Sequence, residues 1–200
     1  SELEYRRAGT AAVFCAAPPA GAERSAVSID YGTVNPTSMG LWALNGGVWY
    51  RIDEYYYDAR QTGQRRTDEE HFRGFLRLTE GRTPDAVVCD PSAASFIELL
   101  RSRGYAVTPA KNDVLNGIRA TATALKSGRI RLCACCADTV HELSLYRWAD
   151  DGARDAPVKE NDHAMDDIRY FVSTVLPAPG QFACAVERRP GGEGGSFWAF

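Results

Sequence analysis

The sequence predicts an α/β protein built on a mixed central β-sheet, an antiparallel meander followed by parallel strands, with helices on both faces. Three observations carry that reading. Strand-like segments at Val27–Asp30, Ser38–Leu44 and Val48–Tyr57 follow one another with little between them. Asn45-Gly46-Gly47 joins the last two, and these residue types tolerate the positive φ that a hairpin turn requires. From Ala86 onward short apolar runs alternate with helical ones, which implies βαβ units and parallel strands.

The elements justify themselves in order. Residues 1–25 contain AAVFCAAPPAGAE, an Ala/Pro-rich stretch that reads as a linker arm. After the meander, Arg66–Thr79 reads as a helix, opened by Thr67 with Glu70 three residues on, a capping-box pair. Ala86–Cys89 is a short buried strand ended by Asp90. Ser92 can cap a helix that runs to Arg103 and stops at Gly104. Tyr105–Thr108 is a further strand. Asp113–Ser127 is a helix capped by Asp113 or Asn112 and stopped by Gly128, followed by an extended piece at Arg129–Leu132. Ala137–Tyr146 is helical. A last helix runs from about Asn161 to Leu176, stopped by Pro177. The remainder, with RRPGGEGGS, is a Gly-rich tail expected to be mobile.

These segments divide the 200 residues into an arm (1–25), one domain (26–176) and a tail (177–200). The composition, 44% hydrophobic and 24% charged, is that of a folded globular chain. No apolar run approaches the roughly 20 residues of a membrane span, so no membrane partner is expected, and no secretory pattern opens the chain. It begins at Ser1 and so reads as a piece of something longer. The formal net charge of −3 is not the footprint of bulk attraction to nucleic acid, though it leaves room for a local basic groove. Cys133, Cys135 and Cys136 form the only cysteine cluster, CACC, which matches no paired zinc knuckle. The simplest reading is a reduced, cytosolic chain.

The chemistry lies in the acids. Asp30 and Asp90 each follow directly on a short apolar strand, at its C-terminal end, where α/β sheets gather ligands. For Asp30 alone an Asx-turn explains the position as well. If the two strands are neighbours, both carboxylates point into one pocket, which is tolerable if they share a proton or hold a cation. NDHAMDDIRY adds His163, Asp166 and Asp167 at the start of the last helix. All three are expected opposite an apolar stripe of Ala164, Met165, Ile168, Phe171, Val172, Val175 and Leu176. A solvated polar face beside a helix N-terminus is the plainer account of that helix. Together the pieces make a carboxylate cluster able to bind two hard divalent cations, Mg2+ or Mn2+, and so to support in-line attack on a phosphodiester.

SIDYGTVNPT, VVCDPSA and NDHAMDDIRY, in this order and spacing, resemble the nuclease domain of large terminase subunits of tailed bacteriophages. KNDVLNGIRATATALKSGRI and ELSLYRW are similar to further stretches of that family, and the resemblance runs from about Ala26 to Leu176. It implies an RNase H-like fold and an endonuclease that cuts double-stranded concatemeric DNA during genome packaging, in the cytoplasm of the infected bacterial host. It also implies an ATPase domain in the same full-length chain, a small terminase subunit and a portal as partners. No G-x-x-x-x-G-K-[ST] loop occurs here, so this chain is not the motor. Residue by residue, Asp30, Asp90 and Asp166 match the family's metal-binding aspartates, and His163 matches an auxiliary ligand. Asp167 stands where small residues are usual, so it is held in reserve as the helix ligand.

Lys111, Arg119, Lys126, Arg129 and Arg131 surround one helix and its following strand and could engage phosphates. A solvated basic face explains them equally well. Lys159, just before the helix motif, is the better candidate near the scissile phosphate. Three rival readings remain. An actin-like phosphate-handling domain shares Asp30-Tyr31-Gly32-Thr33, but the chain is too short for two such domains and lacks a Gly-rich adenosine loop. A resolvase or transposase core would share the fold and acids. A degenerate interaction module has little support with all three acids present.

Overall fold

The computed structural model describes residues 13–145 and 162–176. Its strands are β1 (Phe14–Cys15), β2 (Arg24–Asp30), β3 (Thr37–Asn45), β4 (Val48–Tyr57), β5 (Ala86–Cys89), β6 (Val107–Pro109) and β7 (Ile130–Cys133). Its helices are α1 (Ala59–Thr62), α2 (Asp68–Leu78), α3 (Ala94–Ser102), α4 (Val114–Lys126), α5 (Ala137–Leu145) and α6 (His163–Thr174). The strands form one mixed sheet in the order β1-β7-β4-β3-β2-β5-β6. β2, β3 and β4 are the antiparallel meander, while β5 joins β2, β6 joins β5 and β7 joins β4 in parallel. Gly46 and Gly47 both take positive φ and form the β3–β4 turn.

Strand periodicity decides what faces the site. Val27 and Ile29 of β2 enter the core under α2 and α3, with Met39 and Leu41 of β3 and Phe75, Phe96 and Leu100 of the helices. Ala26 of β2 and Trp42 of β3 point to the opposite face, under α4 and α6, where they meet Leu125, Ile168, Phe171 and Val172. Ser28 and Asp30 alternate with Val27 and Ile29 and therefore share the α6 face. The Trp42 and Phe171 rings stack there at 4.0 Å.

The sequence and the structure differ at four places. Within the stretch read as an arm, Phe14–Cys15 pair in parallel with Leu132–Cys133, Val13 is buried, and Arg24 and Ser25 already belong to β2. A two-residue edge strand carries no periodicity to detect. Helix α1 was not foreseen; Asp58 caps it and Gly63 ends it in the left-handed region. Ser92 does not cap α3, which starts after Ala93 without a side-chain cap. Lastly, β6 begins at Val107, two residues beyond Tyr105. By contrast, the Thr67–Glu70 capping box and the Asp113 cap are formed as read. Tyr146 and the tail after Leu176 lie outside the described residues. Among the described residues, no helix is long and apolar enough to cross a membrane.

Candidate active site

β2 and β5 are adjacent and parallel, so their C-terminal ends lie side by side and bring Asp30 and Asp90 together. Helix α6 crosses the same face and starts beside them. An open cavity of about 630 Å3 is lined by Asp30, Asp90, His163, Asp166, Tyr170 and Arg60, among others. The structure thus gathers both strand-end aspartates, the helix histidine and Asp166 at one place.

Asp30, Asp90 and Asp166 are each already engaged. Asp30 is 8% exposed, and its Oδ2 lies 2.9 Å from His163 Nδ1. Ser92 donates its backbone N–H and its hydroxyl to Asp90, at 2.9 and 2.7 Å. This is the use of Ser92 in place of the helix cap. Arg169 reaches Asp166 Oδ1 at 3.0 Å and donates to Asn112 Oδ1, also at 3.0 Å. Among the described residues, no three histidine, cysteine, aspartate or glutamate side chains converge on one point at ligand distance.

The electrostatics are those of crowded like charges. Burial pushes the Asp30 carboxyl up to about 7; the hydrogen bond from His163 opposes the rise, while Asp166 and Asp90 add to it. Burial acts to discharge His163, but Asp30 beside it outweighs that and holds the imidazole above its ordinary range. The two groups, 2.9 Å apart, therefore titrate as a pair rather than independently. Burial, and then Asp30, Asp90 and Asp166, push the Tyr170 phenol up, so it stays protonated as a donor at the cavity wall.

Asp167 corrects the reading of α6. It is not on the solvent side with Asp166 but fully buried. Ser28 donates to its Oδ1 at 2.8 Å, Ser38 donates to its Oδ2, and the Arg51 guanidinium spans both oxygens. The reserve role as a metal ligand is withdrawn, because these donors occupy the carboxylate and it does not line the cavity. Burial acts to discharge Arg51, yet Asp167 outweighs it and holds the guanidinium above the usual arginine range. Gly40 makes room for that arginine: a Cβ there would stand 1.7 Å from Nη1. Helical spacing could not separate Asp166 from Asp167, because hydropathy classes both as outward while α6 buries a wider arc than its apolar stripe.

The basic residues fall elsewhere. Lys111, Arg119 and Lys126 are exposed, Arg129 and Arg131 are half-buried, and none lines the cavity. Lys159 lies outside the described residues. The cation at the cavity rim is Arg60, on the unforeseen helix α1, paired with Asp58 at 3.3 Å. Tyr170 and Arg169 also escaped assignment, although both stand inside the quoted NDHAMDDIRY. The CACC thiols sit away from the site, with Cys135 and Cys136 against the backbone carbonyls of Ile52 and Arg51.

Comparison with known proteins gives one consistent answer. The family described as "Terminase RNaseH-like domain" matches residues 32–174. The large terminase subunit of Escherichia phage T5 is 26% identical over 156 residues, covering 74% of this chain and 35% of that protein. The structure of a large terminase from a thermophilic bacteriophage, in complex with ADP, superposes with a TM-score of 0.82 at 44% identity. It covers 87% of this chain and 45% of that one. The large terminase nuclease from thermophilic phage G20c with bound magnesium superposes at 0.62 and 13% identity, over 82% of this chain and 94% of that one. This chain therefore spans about a third of the T5 relative and under half of the ADP-bound terminase.

Proposed function

The chain belongs to the terminase RNaseH-like domain family, and from that premise we propose that it is the DNA-cutting part of a large terminase. In this reading it is a metal-dependent endonuclease that hydrolyses phosphodiesters of double-stranded concatemeric phage DNA during genome packaging. The observation that carries it is the convergence of Asp30, Asp90, His163 and Asp166 on one open cavity. No serine or cysteine nucleophile is needed.

The donor set fits hard divalent cations, Mg2+ or Mn2+: carboxylate oxygens with one imidazole, crowded so that Asp166 and Asp90 each raise Asp30. Asp30, Asp90 and Asp166 would hold two such ions, with His163 as auxiliary ligand. When bound, the pair lowers the pKa of an attacking water and stabilises the leaving oxygen. The chain's own groups do the rest. As ligands, Asp30 would be an ionised carboxylate and His163 a neutral imidazole, so any proton held between them would be released to solvent. Ser92 and Arg169 fix the rotamers of Asp90 and Asp166. Tyr170 keeps a phenolic donor at the wall, and Arg60 offers a cation at the rim for a phosphate. Lys111, Arg119, Lys126 and Arg129 are proposed contacts to the duplex outside the cavity, and Lys159 is proposed as a contact near the scissile phosphate.

The similarity to longer large terminases supports an ATPase domain in the same full-length chain as partner, with the small subunit and portal completing the machine in the host cytoplasm. Plasmid cleavage by the chain with Mg2+, Mn2+ or EDTA tests the reading. Nicking that requires the metal and is lost in Asp90→Asn and Asp166→Asn is expected. Nicking that persists in EDTA, or in both variants, refutes it.

A further inference from the structure

The helix that carries His163 and Asp166 is not capped by its own N-cap residue. Asp162 precedes α6 and makes no side-chain cap hydrogen bond. The first N–H groups of a helix still need acceptors. Glu142, from the middle of α5, supplies them: its Oε2 accepts from Ala164 N at 2.6 Å and from Met165 N at 3.4 Å. Its other oxygen accepts from the Tyr56 hydroxyl of β4 at 2.6 Å. Glu142 is 2% exposed, so this carboxylate is held away from water.

The same device is used one step earlier. Glu54 of β4 accepts from Asp138 N at 2.7 Å with one oxygen, and from Thr139 N and its hydroxyl at 3.2 and 2.6 Å with the other. Glu54 thus caps α5, and Glu142 of α5 caps α6. Two glutamates tie the acid-bearing helix to β4, the strand that also supplies Tyr56. The bonded amide of Ala164 directly follows His163, so a shift of this cap moves His163 against Asp30.

We propose that Glu142 is the positioning residue of the acidic cluster, setting where His163 and Asp166 stand relative to Asp30 and Asp90. This rests on the cluster being a divalent-cation site. Glu142 does not line the cavity; it acts through the backbone of α6, and its charge adds a smaller electrostatic pull on His163.

The test is calorimetric titration of Mn2+ into this chain and its variants, below the melting transition of each, so that loss of fold is not what is read. Partners of this kind are worth about 10- to 100-fold in metal affinity, and Glu142→Ala should weaken Mn2+ within that range. Glu142→Gln keeps an acceptor for the Ala164 N–H and an amide for Tyr56, and should restore most of it. Tyr56→Phe removes one tether and should weaken Mn2+ by about tenfold, the low end of such effects. Wild-type affinity in Glu142→Ala, or a glutamine variant no better than alanine, overturns the positioning role. If Glu142→Ala does not fold, Tyr56→Phe decides, and unchanged affinity there overturns it. Wild type that binds no Mn2+ sinks the cation-site reading and the proposal with it. Binding abolished by Asp30→Asn but intact in Glu142→Ala sinks the proposal alone.

Discussion

Asp166 and Asp167 are consecutive, and each is paired with an arginine, yet they serve opposite regions of the molecule. Asp166 keeps 29% of its side chain exposed at the cavity and shares Arg169 with Asn112. Asp167 keeps none, and both its oxygens are consumed by Arg51, Ser28 and Ser38. Trp42 extends that buried network by donating its indole N–H to the Ser28 hydroxyl at 2.8 Å. At the cavity Asp90 and Asp166 add like charge to Asp30, whose carboxyl burial already raises. Burial raises Asp167 as well, but there the Arg51 guanidinium opposes it. A carboxylate that is fully satisfied specifies structure, whereas one left in repulsion is available to a cation.

Neutralising each neighbour in turn tests this division of roles. Asp166→Asn should lower cleavage by on the order of 10^2- to 10^3-fold, the scale of losing one electrostatic group at a reacting centre, with the melting temperature nearly kept. Asp167→Asn should do the reverse and leave Arg51 with only its 3.6 Å pair to Glu54, a broken buried pair that costs about 3–5 kcal/mol. Equal effects of the two on cleavage, measured on folded protein, would erase the distinction. Next comes the space for Arg51. Gly40→Ala drives a methyl into the guanidinium and should cost about 1–3 kcal/mol, read as a lowered denaturant midpoint.

A pH series sharpens the wet side. Asp30 has a folded pKa of about 7, raised from 3.8. Its contribution to stability is therefore complete below about pH 4 and lost as pH rises through 7. Without divalent cation, Asp30→Asn should match wild type near pH 4 and exceed it at pH 8 by on the order of 2–4 kcal/mol. A constant gap across the series would contradict the assigned shift. The smallest effects come from single hydroxyls. Ser28→Ala should cost about 1 kcal/mol of stability and leave cleavage unchanged. Ser92→Ala should leave stability unchanged while altering the metal concentration needed for half-maximal nicking.

Much of this was legible because it is local. Asn45-Gly46-Gly47, the Thr67–Glu70 box and Asp30 and Asp90 at strand ends all announce themselves within a few residues. What the sequence hid is long-range. Nothing local in the sequence marks Arg51, and only the alternation of β4 against α6 turns it inward. Glu142 stands in the quoted ELSLYRW, but its partner amides are 22 and 23 residues away on another helix. Arg60 sits on a four-residue helix too short to carry a period. Asp167 could be told from Asp166 only by knowing what α6 packs against.

The two glutamate caps have a consequence for how such a chain can diverge. Helix α6 is registered on the sheet through side chains of β4 and α5: Glu54 holds the start of α5, and Glu142 of α5 holds the start of α6. Glu54, Tyr56 and Glu142 therefore have to change in step, because an alteration at one of them is passed to the acids through a helix start.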